Sequence, residues 1–316
     1  MKKNLVFLIV FSVIALLAAA CLGLFFLNQP RLVWIVEDHY IGAWEQALGD
    51  YPALAGRIVP SSEAKDPLPR SWYGYRAGSS QNPLGDDENP LLVYLGLAGQ
   101  RHYEDALLLA LDPWLVFRRF TSPSLSREDA ENGPGERGRL LIAGGDPAAA
   151  WAWTAQLLQE SPGVFSHGPG RWEQAQEWLF TSGQFQTGAR TFGWEEIWPH
   201  LLDEDEVVWV YAPLSRLRAL PLVDTNTLEA DVFPVRPGWN QFGLQARLFW
   251  ATPYGSEKNR ERLEAAEALL QGAPFQNLLA DSLGWIAAHP EAPPFNPFSW
   301  NARISWLTSS YIWSER

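Results

Sequence analysis

Three short stretches of this sequence carry side chains able to hold a small molecule. The first is Glu37-Asp38-His39, directly after the β-branched and aromatic run RLVWIV. A run of that kind reads as a buried strand. Ligands of open α/β sheets gather beyond the carboxyl ends of strands, so Glu37 and Asp38 are candidate hydrogen-bond acceptors. The competing reading is that they cap the helix that follows. The second stretch is Gly144-Gly145-Asp146, between the apolar run from Arg139 and a proline, Pro147. A Gly-Gly turn, an Asp at the N-cap and a Pro at the first helical position mark a strand-to-helix junction. Amides at such a junction can hold an anionic or hydroxyl oxygen, which makes Gly145 and Asp146 candidates, although a plain tight turn uses the same residues. The third is Pro237-Gly238-Trp239-Asn240-Gln241. A Pro-Gly turn seldom lies deep in a core, yet this one carries a tryptophan. Trp239 is a candidate stacking platform and Asn240 a candidate amide contact.

Other chemistries find no support. The five histidines are scattered, and no pair has the HxxxH spacing of a zinc helix. No GxSxG elbow occurs, and GGDPAAA lacks the later glycine of a dinucleotide fingerprint. The acidic run Asp203 to Glu206 reads as a solvated charge cluster, since glycosidase carboxylates are set by fold and not by spacing. No catalytic residue, metal ligand or cofactor is expected from these patterns.

The bulk numbers narrow the field further. The formal charge is −12, and about −14 once Lys2 and Lys3 are set aside. Nucleic acid is an unfavourable partner for such a surface, because binding it requires a dense array of cations. Seventeen tryptophans is several-fold more than ordinary usage. Indoles suit stacking on sugar faces and cations, but most buried ones simply fill a core.

Residues 5–27 contain no charged side chain and follow two lysines. As a helix this segment would be roughly 35 Å long, enough to cross a hydrocarbon core about 30 Å thick. Lysines ahead of it place the N-terminus in the cytoplasm and the remainder outside. Residues 1–28 are therefore expected to be a membrane anchor or signal segment of a bacterial-type cell membrane. Residues 29–316 form an extracytoplasmic, periplasmic region. Ala18-Ala19-Ala20-Cys21 leaves open a cleavage site or lipidation at Cys21, against which the apolar run continues to Leu27. Cys21 is the only cysteine, so no disulfide is expected outside.

The elements that would position the candidates alternate between strand and helix. Residues 31–38 read as a strand, 39–54 as a helix and 56–60 as a strand, the size of a βαβ unit. Residues 61–89 read as loop and 103–120 as a helical pattern interrupted by Pro113. The polar stretch 121–138 suits a linker or exposed loop. Strands are expected at 139–143 and 206–211, and helices at 147–158, 171–180, 257–271 and 275–289. The fold class is α/β.

The segment from Phe233 to Pro297 resembles a known family. It offers a strand with Pro234 and Pro237, a helix at Ala265 to Leu270, a break at Gly272 to Pro274, and a helix from Gln276 to Ala288. A Pro-rich close follows at Pro290 to Pro297. With the opening LVWIVEDHYIGAWEQAL, this pattern is similar to bacterial extracellular solute-binding proteins of the type II periplasmic-binding fold. The resemblance covers about a third of the chain. It implies two lobes, a hinge, and a small polar solute, such as a carbohydrate, delivered to an ABC transporter permease. The exported part is shorter than most sugar-binding members. An assembly protein of the envelope and a glycan-acting enzyme are the alternatives.

Overall fold

The computed structural model describes residues 31–69, 71–80, 107–160, 174, 177, 191–221, 224, 226–231, 246–255, 259–289 and 291–292. The apolar segment 5–27, Trp239 and Asn240 lie outside them, as does nearly all of the expected helix 171–180. Among the described residues no helix is long and apolar enough to cross a membrane. The chain divides into two compact units. One is built from residues up to Gly78 together with Ala251–Leu269, the other from Ser79–Trp250 and from Leu270 onward.

In the first unit β1 (Arg31–Val36) is the central strand. It pairs in parallel with β2 (Arg57–Pro60) and with β3 (Trp72–Ser80). A strand with parallel neighbours on both sides is covered on both faces, which explains its unbroken apolar sequence. Val33 and Ile35 pack with Val59 on one face. On the other, Trp34 stacks on Tyr75 at 5.8 Å, tilts against Trp44 at 5.6 Å, and donates its indole N–H to Leu54 O. Trp44 comes from α1 (Ile41–Gly49), the crossover between β1 and β2. This is the expected βαβ unit. The expected loop 61–89 is in part a strand, since β3 runs through it. Tyr75 and the small residues around it pack against β1 although the run carries little apolar periodicity.

The second unit is organised on β4 (Leu107–Arg119), thirteen residues long and buried from Leu109 to Arg119. The helical pattern expected at 103–120 is thus a strand, a confusion that continuous apolar runs invite. Pro113 has no N–H for a ladder. It falls between the register with β9 (Ile286–Ala287) at Ala110 and Leu111 and the register with β6 (Val208–Pro213) from Trp114 onward. β6 is antiparallel to β4 and parallel to β5 (Arg139–Leu141). β7 (Leu228–Asp231) pairs with the far end of β4.

Helices cover this sheet. α2 (Arg127–Asn132) is capped by the Ser126 hydroxyl, which accepts from Asp129 N, so the polar stretch 121–138 holds a helix inside one unit. α3 (Pro147–Glu160) buries Ala149, Ala152 and Trp153. α4 (Trp194–Leu202) packs Ile197, Trp198 and Leu201 onto β6 and β4. β8 (Ala246–Tyr254) adds Leu248 and Phe249 to the second unit and Tyr254 to the first. α5 (Arg260–Leu270) and α6 (Ala273–Leu283) follow. α6 stops earlier than the expected 289, because Gly284 adopts the left-handed conformation (φ 76°) and its N–H closes onto Ala280 and Asp281 carbonyls.

Candidate functional site

β5 and β6 are parallel, so their carboxyl ends open on the same side of the second unit. After β5 the chain turns through Gly144, Gly145 and Asp146 into α3. After β6 it enters a short 3-10 helix, Leu214–Ala219, carrying Ser215 and Arg216. The N-terminus of α4 brings Trp194 to the same place.

Asp146 ties these pieces together. Its Oδ1 accepts from Ala148 N at 2.9 Å, the N-cap bond anticipated from sequence. Its Oδ2 accepts from the Trp194 indole N–H at 2.7 Å and from the Arg216 guanidinium at 3.3 Å. Arg216 lies over the Trp194 ring at 5.3 Å, a cation–π contact, and Trp194 stacks on Trp198 at 5.8 Å. Trp194 also tilts against Trp114, which leads through Tyr211 to Trp153 in the core. The Arg216 guanidinium is therefore fixed from behind by an aromatic stack and from the side by a carboxylate. Its side chain is 47% exposed, against 22% for Asp146.

The turn amides are differently employed. Gly144 N donates to Ile142 O, Gly145 N to Phe192 O and Asp146 N to Ala143 O. The polar group that this junction presents outward is the Asp146 carboxylate. Gly145 serves a close approach: a Cβ there would lie 2.9 Å from Thr191 O.

Beneath Arg216 sits a carboxylate that sequence reasoning missed. Asp112 is fully buried, and its two oxygens accept from Ser215 N at 2.9 Å and Ser215 Oγ at 2.7 Å. Burial pushes its pKa up to about 6, opposed by those two hydrogen bonds and by the charges of Arg247 and Arg216. Asp112 holds the first turn of the 3-10 helix and so fixes the backbone from which Arg216 extends.

In the first unit Glu37 and Asp38 follow β1 as expected, with different roles. The Glu37 carboxylate lies over the β3 backbone, where a Cβ on Gly78 would come within 2.4 Å of its Oε1, and it faces His39 at 3.6 Å. Asp38 accepts from Ser61 Oγ, Ser62 N and Ser62 Oγ, tying the end of β1 to the turn after β2. The Ser62 hydrogen bonds lower its pKa below the ordinary carboxylate value. Among the described residues no group of three or more His, Cys, Asp or Glu side chains is placed to hold a metal ion.

Two of the three missed residues lacked a local signal. Arg216 follows a strand by only three residues, which is a usable cue. Trp194 lies in a segment with no recognised pattern, and Asp112 lies beside a proline in a run read as helix.

The chain has the type II periplasmic-binding fold. The solved structures that share it are mostly bacterial solute-binding proteins. One is the bacterial solute receptor AcbH, described as having an exclusive preference for β-D-galactopyranose. It is 14% identical at a TM-score of 0.59, covering 88% of this chain and 85% of that one. A second is T. maritima MalE3 with maltose bound, 11% identical at a TM-score of 0.51 over 87% and 86%. Thiaminase I from Bacillus thiaminolyticus shares the fold too, 11% identical at a TM-score of 0.52 over 90% of each chain. No protein-family model matches the sequence, and no curated protein matches it.

Proposed function

We propose that this chain is an extracytoplasmic solute-binding protein. The apolar segment 5–27 would hold it at the membrane, and the second unit would take a small polar solute at the carboxyl ends of β5 and β6. The constellation of Asp146, Trp194 and Arg216 at the carboxyl ends of β5 and β6 is the observation that carries this reading. It joins a fixed donor fork, a carboxylate and an indole stack at the edge where α/β sheets take ligands. Every polar group in it is engaged in holding or presenting, and none is arranged as nucleophile and base. Glu37 and Asp38 in the first unit remain proposed contacts, as do Trp239 and Asn240. Sugar-class solutes are the first to try, and an ABC permease is the partner this reading implies.

The test is thermal melting and tryptophan emission of the purified full chain in detergent, against sugars, sugar acids, amino acids and polyols. Binding to the native state raises the melting temperature by mass action, about 2.7 kcal/mol of stabilisation at a hundredfold excess over Kd. A specific solute that raises it, with the gain lost in Trp194→Ala, supports the proposal. A folded protein that answers to none of the panel would overturn it in favour of an envelope assembly role.

A further inference from the structure

From the arrangement around Arg216 we infer that the solute carries a carboxylate, and that Arg216 is the residue that selects it. This rests on the solute-binding reading and narrows it to acidic solutes, hexuronates foremost among the sugars.

A count of donors and acceptors leads there. A guanidinium has five N–H donors in a planar fork, and among the described residues Arg216 spends one of them, on Asp146 at 3.3 Å. That bond is the longest of the three that Asp146 accepts, so the carboxylate is anchored by Ala148 and Trp194 without it. The arginine is oriented by Asp146 more than consumed by it. Trp194 covers one face of the guanidinium, and the Arg216 side chain as a whole is 47% exposed. Among the described residues that touch Arg216 or hold its backbone, the acceptor oxygens are already engaged. Both Asp112 oxygens are buried and taken by Ser215, and both Asp146 oxygens already accept. A neutral hydroxyl both gives and accepts, and it would find mostly donors. A carboxylate only accepts, and it matches a planar fork with two parallel hydrogen bonds.

The formal charge of −12 opposes any anion at long range. Its effect is screened beyond about 8 Å at physiological ionic strength, whereas a bidentate pair acts at contact. Short range decides the preference.

The measurement is calorimetric titration of the full chain at pH 7.5 with galacturonate against galactose and glucuronate against glucose. Succinate and its diamide serve as a carboxylate pair without a sugar ring. The acidic member is expected to bind at least tenfold tighter than its neutral partner. That preference should vanish in Arg216→Gln, fall only in part in Arg216→Lys, and weaken as salt rises. Preference for the hexuronates alone assigns a sugar acid. Equal preference for succinate assigns the carboxylate without the ring. Neutral sugars binding as tightly as their acids would overturn the inference and leave solute binding standing. So would an acid preference that survives in Arg216→Gln. Silence of every pair would overturn both readings.

Discussion

Arginines mark the two ends of the second unit's sheet, and they are used in opposite ways. At one end Arg118 leaves β4 with its side chain 9% exposed. It donates to Asp231 Oδ2, Glu229 Oε2, Ser122 O and Arg119 O. Its neighbour Arg119 reaches Leu202 O and Glu204. At the other end Arg216 makes, among the described residues, one long hydrogen bond and rests on an indole. Charge and residue type are alike at the two ends, and the difference is whether the donors are spent. With four of its five N–H donors engaged, Arg118 locks β4, β7 and the following turn together. An arginine held rigidly with few donors engaged is a surface prepared for something else.

Removing Arg118 is the harshest way to break this contrast. Arg118→Ala leaves two partly covered carboxylates facing each other, and an unfolding free-energy loss on the order of 3 kcal/mol is expected in urea titrations. A loss below about 1 kcal/mol would place Arg118 among ordinary surface pairs. The support beneath Arg216 comes next. Asp112 has a raised pKa in the folded state, so it favours folding most below the unfolded carboxylate value. That contribution disappears as pH rises through about 6. The gap of about two pH units corresponds to roughly 3 kcal/mol at most. Melting curves between pH 4 and pH 7.5 should show it in the native chain and a flatter profile in Asp112→Asn. An unchanged profile would mean that the carboxylate is solvated.

Arg216→Gln sharpens the comparison from the other side. Its melting temperature without solute should stay close to native, within about 0.5 kcal/mol, because an exposed ion pair contributes little. A large destabilisation would make Arg216 a structural lock like Arg118. Smallest of all is Asp38→Ala in the first unit. Its carboxylate is exposed and joins two turns, so only a slight drop in melting temperature is expected, present above the carboxylate titration and absent in acid. An unchanged melting temperature at pH 7 would show that the Ser61–Ser62 contacts add nothing.

The strand-to-helix junctions were readable because their signals are local. β1, α1 and β2 follow from an apolar run, helical spacing and a stopping proline. The Asp146 N-cap and Pro147 follow from capping chemistry. β3 and β4 were not readable, since both owe their extended form to neighbours far along the chain. Nothing within residues 107–119 distinguishes a buried strand from a buried helix, and Pro113 argues against either. The site divides along the same line. Asp146 was found from its turn, while Trp194 and Arg216 meet it only through tertiary packing across 48 and 70 residues.

The first unit is assembled from two stretches of chain separated by most of the second. No single cut can release either unit whole, and the order of synthesis has a consequence for folding. β1, β2 and β3 are made early, but Tyr254, whose hydroxyl donates to Val33 O at 2.9 Å, arrives after some 170 further residues. At about 5–20 residues per second that is a delay of roughly 10–35 s. An apolar strand such as RLVWIV must stay unpaired with its last partner for that interval. A chain in this state is a client for holding factors, and truncations that end before residue 254 are expected to be degraded rather than to accumulate as folded protein.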